Sequence, residues 1–212
     1  MTPTAPFPKL KRGLVAILRG LTPPEAVAVA QSIHAAGIEA IEVPLNSPDP
    51  FTSIASIAEA LPETALVGAG TVLAPADVDA LAEAGGRLLV SPNIDAGVMK
   101  RAAHHGMVTM PGVFTPTEAF QALALGASAL KFFPASVLGP GGIAAMRAVL
   151  PKDAAVGAVG GVSEKDFAGY KAAGVTLFGL GSSLFKPGMT AAEVGDRAAA
   201  AAQAWDEVFA KG

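Results

Sequence analysis

The chain contains no cysteine. Disulfides, thiolate nucleophiles and cysteine metal ligands are therefore excluded, although that absence does not identify the redox compartment. Only one Trp and one Tyr occur among 212 residues, and only 16% of the residues are charged. No basic stripe is visible and the formal net charge is -3, which argues against nucleic acid as the main partner. No uninterrupted apolar run reaches the roughly 18 residues that a membrane-spanning helix needs. Pro3, Pro6 and Pro8 fall where a secretory signal would carry its apolar stretch. A soluble, cytoplasmic protein with no membrane partner is expected. No His/Asp/Glu cluster has metal-ligand spacing, so no motif supports a metal-dependent mechanism, although barrel ligands can come from scattered strands. No cofactor is expected.

What the chain does have is a 51% hydrophobic composition and a rough repeat. A helix-like segment ends in Gly and a short apolar run follows, as in "AAGIEAIEV", "EAGGRLLVS", "HHGMVTMPG", "LGASALKFF" and "AAGVTLFGL". Gly past the end of a helix supplies a left-handed cap. Short runs rich in Val, Ile and Leu suit strands buried on both faces. Eight such strands are expected, at 13–19, 38–45, 65–71, 87–93, 107–113, 129–134, 155–160 and 176–181. Helix starts punctuate them: Thr22/Glu25, Thr115/Glu118 and Thr190/Glu193 match capping boxes, and Asp95 and Ser163 are candidate caps. The Ala-rich tail from Asp196 reads as a final helix, with Trp205 and Phe209 on one face. Strands alternating with helices predict a parallel sheet, and eight right-handed units close into a (β/α)8 TIM barrel, an α/β fold spanning 1–212 as a single domain. An open doubly wound sheet is the alternative, but no GxGxxG turn follows the first strand.

In such a barrel, chemistry sits at the C-terminal ends of the strands. There, "ALKFFPAS" places Lys131 in the middle of an apolar strand. An ammonium in such a setting is costly unless paired. Lys131 is thus either a structural residue or an amine whose pKa burial lowers until it can attack a carbonyl, and an ion pair with Glu42 is compatible with either. Glu42 lies deep in "IEAIEVPLN", whereas Glu39 lies near the opposite end. Arg19 ends the first strand and can bind a carboxylate or phosphate in bidentate fashion. Glycine-rich ends at Val159–Gly161 and Gly179–Ser183 follow strands seven and eight, where barrels build phosphate sites. His104 and His105 suit a helix C-terminus, and His34 is expected in mid-helix.

Taken in order, "AILRG", "IEVPLNSP", "GAGTVL", "SPN", "ALKFFPAS", "AVGGV" and "GLGSSLF" resemble the 2-keto-3-deoxy-6-phosphogluconate and 2-keto-3-deoxy-6-phosphogalactonate aldolases. The resemblance implies a homotrimeric class I aldolase that releases pyruvate and glyceraldehyde 3-phosphate from a phosphorylated keto-deoxy sugar acid. It implies that Lys131 forms the Schiff base and Glu42 exchanges protons. Thr71 would bind the pyruvyl carboxylate and Arg19 the sugar acid, while Gly161, Gly181 and Ser182 would bind phosphate. Pro92 and Phe133 would line the pocket. The gluconate-type pattern carries an Arg shortly after the Glu and a Thr before the strand-seven glycines. Here Glu42-Val-Pro-Leu-Asn46 has no Arg, and Val159 replaces the Thr. Both departures resemble the galactonate type. A different phosphate-binding barrel enzyme and a non-catalytic sugar-phosphate binder are the rival readings.

Overall fold

The computed structural model describes residues 4–209. In chain order the elements are β1 (Leu14–Ile17), α1 (Pro23–Ala35), β2 (Ala40–Pro44), α2 (Pro50–Ala60), β3 (Leu66–Gly70), α3 (Pro75–Glu83), β4 (Leu88–Val90), α4 (Ala96–His104), β5 (Val108–Met110), β6 (Gly112–Val113), α5 (Pro116–Ala124), β7 (Leu130–Phe132), α6 (Ala135–Arg147), β8 (Val156–Val159), α7 (Phe167–Ala172), β9 (Leu177–Leu180) and α8 (Ala191–Phe209). All ladder pairs are parallel, in the order β5-β4-β3-β2-β1-β9-β8-β7-β6.

The nine segments make eight barrel strands. β5 and β6 are two halves of one strand separated by Pro111, which has no N–H to give to a ladder. The Pro111 carbonyl still accepts from the Lys131 N–H at 3.0 Å. Because β5 pairs with β4 and β6 with β7, this interrupted strand closes the ring. The (β/α)8 barrel expected from the repeat is therefore the observed architecture. Each strand lies within its expected segment but is shorter, because the flanking residues already turn into loops.

Alternation along the strands sorts side chains into two apolar layers. Val15, Ile17, Ala40, Leu66, Leu88, Val90, Val108, Met110, Ala129, Val159 and Leu177 fill the barrel interior. Their neighbours on the strands, such as Leu14, Ile41, Val67, Leu89, Phe132 and Phe178, pack outward against the helices. Ala5, Phe7 and Leu10 pack onto the interior layer at the N-terminal ends of the strands. Ala5 is tied there by a bridge to Val108 and by its N–H to the Met107 carbonyl at 3.0 Å. The barrel floor is thus covered, and the opposite end holds the cavity described below.

The helix-start signals are realised with differences. Thr115/Glu118 and Thr190/Glu193 form reciprocal capping boxes. At Thr22 only the Glu25 carboxylate returns, accepting from the Thr22 N–H at 2.9 Å. Asp95 accepts from the Val98 N–H at 2.8 Å. Ser163 starts a 3-10 turn at Glu164–Asp166 and donates to Asp166. His34 stands in the last turn of α1, not mid-helix, since that helix ends one residue later. Trp205 and Phe209 stack at 4.6 Å on α8; positions 210–212 of the expected tail lie outside the described residues. Among the described residues, no helix is long and apolar enough to cross a membrane.

Candidate active site

A cavity of about 550 Å³ opens at the C-terminal ends of the strands. Arg19, Glu42, Thr71, Pro92, Lys131, Phe133, Gly161, Gly181 and Ser182 all line it. The structure therefore brings together, from β1, β2, β3, β4, β7, β8 and β9 and the loops after them, every site residue expected from the sequence.

Lys131 and Glu42 are the only Lys, Arg, His, Asp or Glu among the described buried side chains, at 6% and 2% exposure. In the ladder Lys131 stands between Gly112 and Gly157, and Glu42 beside Gly68, so neither is crowded by a side chain on those neighbours. The Lys131 Nζ lies 4.7 Å from the centroid of the Phe133 ring, whose negative face favours a cation. Glu42 lies across Gly70: a Cβ there would come within 1.9 Å of Oε2 and 2.4 Å of Cδ. Residue 70 must be glycine for the carboxylate to occupy this place. Glu42 Oε2 is buried without a hydrogen-bond partner. None of the ion pairs among the described residues includes Glu42 or Lys131. The Lys131–Glu42 ion pair that either reading of the lysine allowed is not formed directly, although both groups line one cavity.

Both groups are pushed toward neutrality. Burial raises the Glu42 carboxyl from 4.5 to about 7, opposed by the charges of Lys131 and Arg19. Burial lowers the Lys131 ammonium from 10.5 to about 8, opposed by Glu42 and assisted by Arg19. An amine that loses its proton near neutral pH is a competent nucleophile, and a carboxyl near 7 can both accept and donate a proton.

The rim is polar. Arg19 donates to Asn46 Oδ1 and to Thr71 Oγ1, the latter at 3.4 Å. Thr71 holds φ at 58°, a left-handed conformation that a β-branched residue rarely adopts. Such a residue persists only where its surroundings over-determine it, at a cost of about 1–3 kcal/mol. Gly160 and Gly161 both take positive φ, 92° and 70°, where other residues are strained. After β9 the Gly181 carbonyl accepts from Leu184 and Phe185, each at 2.9 Å, which winds 181–185 into one helical turn. Ser183 is spent on the Val162 carbonyl at 3.1 Å. The backbone N–H groups of Gly161, Gly181 and Ser182 have no acceptor among the described residues, so one wall of the cavity presents free donors.

Sequence reasoning assigned no role to Phe185, Lys186 and Pro187, which also line the cavity. The composition of "SSLFKPG" held one signal, a cation just beyond a glycine-rich strand end. Another groove, of about 600 Å³, lies between α2 and α3 at the opposite end of the barrel. Its Arg87 is already bound to the Glu63 and Ala65 carbonyls, both at 2.6 Å. Among the described residues no group of three or more His, Asp or Glu is placed to hold a metal ion.

A parallel barrel with a buried Lys and Glu under a rim of free N–H donors defines a barrel-enzyme site for a small anionic molecule. The profile of the KDPG and KHG aldolases matches residues 9–205. Over 204 residues the chain is 59% identical to a probable 2-dehydro-3-deoxy-6-phosphogalactonate aldolase of Rhizobium meliloti (strain 1021), covering 96% of each. It is 49% identical over 197 residues to the 2-dehydro-3-deoxy-6-phosphogalactonate aldolase of Escherichia coli (strain K12), covering 93% of this chain and 96% of that one. A solved structure described as native KDPGal superimposes with a TM-score of 0.93 at 48% identity, covering 95% of this chain and 98% of that one. The chain belongs to the KDPG and KHG aldolase family. It is by that membership an aldolase, a carbon–carbon lyase.

The lowered Lys131 pKa makes a stability statement. A lysine whose pKa falls on folding opposes folding while it is protonated. That opposition is full below about 8 and vanishes as pH rises toward 10.5. Lys131→Met is therefore expected to raise the unfolding free energy at pH 7 by about 1–3 kcal/mol. The gain should shrink steadily between pH 8 and 10.5; denaturant titrations across that range check it, and a destabilised or pH-independent variant contradicts it.

Proposed function

We propose that this chain is a class I aldolase that cleaves 2-dehydro-3-deoxy-6-phosphogalactonate to pyruvate and glyceraldehyde 3-phosphate. The observation that carries the reading is the buried Lys131 amine, facing a cavity that also holds an unpartnered Glu42 carboxyl.

The neutral Lys131 amine attacks the C2 keto carbon, and loss of water from the carbinolamine leaves an iminium. Glu42 takes the proton of the C4 hydroxyl. The C3–C4 bond breaks, the aldehyde forms at C4, and the bonding electrons flow into the iminium to give an enamine. Glu42, now protonated, returns the proton to C3. Water then hydrolyses the pyruvyl iminium, which frees pyruvate and the amine. Arg19 and Thr71, hydrogen-bonded to each other, hold the acid end of the substrate. Gly161, Gly181 and Ser182 hold the phosphate through N–H groups that have no other partner.

Two features support the galacto configuration at C4. Asn46 follows Glu42 where the gluconate-type pattern has Arg, and it is already engaged with Arg19. Val159 lines the cavity without a hydroxyl. The names of the relatives at 59% and 49% identity agree with this choice. Assembly as a homotrimer in the cytoplasm belongs to the same reading.

Borohydride reduction in the presence of pyruvate should leave a reduced pyruvyl adduct on Lys131, located by peptide mass spectrometry and absent from Lys131→Ala. No adduct at saturating pyruvate would remove the class I, Schiff-base reading of Lys131. Cleavage of the two C4 epimers, compared by kcat/KM, should favour the galacto compound by at least ~10-fold, the size of one lost hydrogen bond. The gluco compound cleaved equally well would mean dual specificity.

The pH dependence follows from the two shifted groups. Glu42 must be ionised to take a proton, so activity gains as pH passes about 7. Lys131 must be neutral to attack, so activity gains again as pH passes about 8. The two limbs belong to the interacting pair, and kcat/KM should climb across both. Glu42→Gln should remove the lower limb along with most of the rate. A profile that is flat from pH 6 to about 9 would contradict the assignment.

A further inference from the structure

We propose that Lys186 is the cation that neutralises the phosphate of the substrate and sets the preference for phosphorylated over unphosphorylated sugar acids. The inference rests on the aldolase reading above.

A phosphorylated keto acid brings a carboxylate and a phosphate of about -1.5 to -2 charge into the cavity. Among the residues lining the cavity, three are cations: Arg19, Lys131 and Lys186. Lys131 sits deep in the barrel, 6% exposed, and its nitrogen is consumed in the imine. Arg19 is committed on the side of β1 to β3, held by Asn46 and Thr71. The wall with free N–H donors, at Gly161, Gly181 and Ser182, has no charge of its own. Neutral donors alone would have to hold a dianion there.

Lys186 completes that wall. It follows the helical turn 181–185 directly, and its ammonium has no hydrogen bond or ion pair to a described residue. The loop that carries it is held in place. Pro187 packs against Gly20, where a Cβ would meet the Pro187 Cγ at 2.7 Å, and Leu184 and Phe185 are buried. The backbone of Lys186 is thereby fixed at the mouth between β9 and β1, while its flexible stem leaves the ammonium free to reach an anion on the glycine wall. A lysine suits this task as a mobile point charge, whereas bidentate work falls to Arg19.

The test compares the parent protein with Lys186→Met and Lys186→Arg on the 6-phosphorylated substrate and its unphosphorylated counterpart. Lys186→Met should raise KM for the phosphorylated compound roughly 10–100-fold with kcat little changed, and leave the unphosphorylated compound unaffected. Lys186→Arg should restore most of the preference. Binding of inorganic phosphate, followed by calorimetry, gives a readout independent of turnover and should weaken in Lys186→Met by a similar factor. An unchanged ratio between the two substrates, equal losses on both, or unaltered phosphate binding would overturn the proposal. Failure of the aldolase reading itself would be separate: the parent would form no pyruvate adduct, and the phosphate titration would still decide the role of Lys186.

Discussion

Desolvation of two opposite charges, held apart inside one barrel, is the constraint on which this molecule turns. Glu42 and Lys131 would each be comfortable in water. Buried without a direct ion pair, each is pushed toward its neutral form, one upward to about 7 and the other downward to about 8. Contact would quench both shifts, because the Coulomb attraction between them opposes burial in each case. Distance without burial would leave both at ordinary values. A closed ring of strands lined by apolar side chains, with glycine on both sides of Lys131 in the ladder and on one side of Glu42, keeps the pair buried yet unjoined. The strain at Thr71 and the bare Gly70 are further terms of the same arrangement, since both stand where β3 ends beside Glu42.

Much of this architecture was legible in the linear chain, for physical reasons. Helix C-caps need a left-handed residue, so glycine marks them. Strands covered on both faces need unbroken apolar runs, so their positions stand out. The alternation of the two is enough to imply a parallel barrel, and a charged residue inside such a run is conspicuous because it is expensive. The rest depended on register between strands. That Gly70 makes room for the Glu42 carboxylate follows from the pairing of Pro44 with Gly70, which no local pattern encodes. The break at Pro111 was readable in principle, since proline cannot donate to a ladder, but the apolar run through "MVTMPGV" concealed it. Thr71 gave no warning of its left-handed backbone. Lys186 lay several residues beyond its strand, in a loop whose path back to the mouth is set by a tertiary contact between Pro187 and Gly20.

The cavity also divides its labour by polarity. In the proposed reaction, depth carries the covalent chemistry, at the two buried groups whose pKa values move. The rim would carry recognition, with backbone donors and long basic side chains facing the anionic groups of the substrate. A substrate with a keto acid at one end and a phosphate at the other spans these two zones. Arg19 lies at the junction: it is bonded to Asn46 and Thr71 at the rim, yet its charge is felt by both buried groups.

The covered floor has a consequence for traffic. Ala5, Phe7 and Leu10 pack beneath the interior layer, and Leu66, Leu88, Val108 and Leu177 fill the space above them. Among the described residues that floor closes one end of the barrel, and the cavity opens at the other. Whatever is joined to Lys131 at the bottom stands behind whatever is held at the glycine wall near the top. In the proposed reaction the fragment bearing the phosphate would therefore leave first and the fragment on the lysine last, and in the reverse direction they would enter in the opposite order.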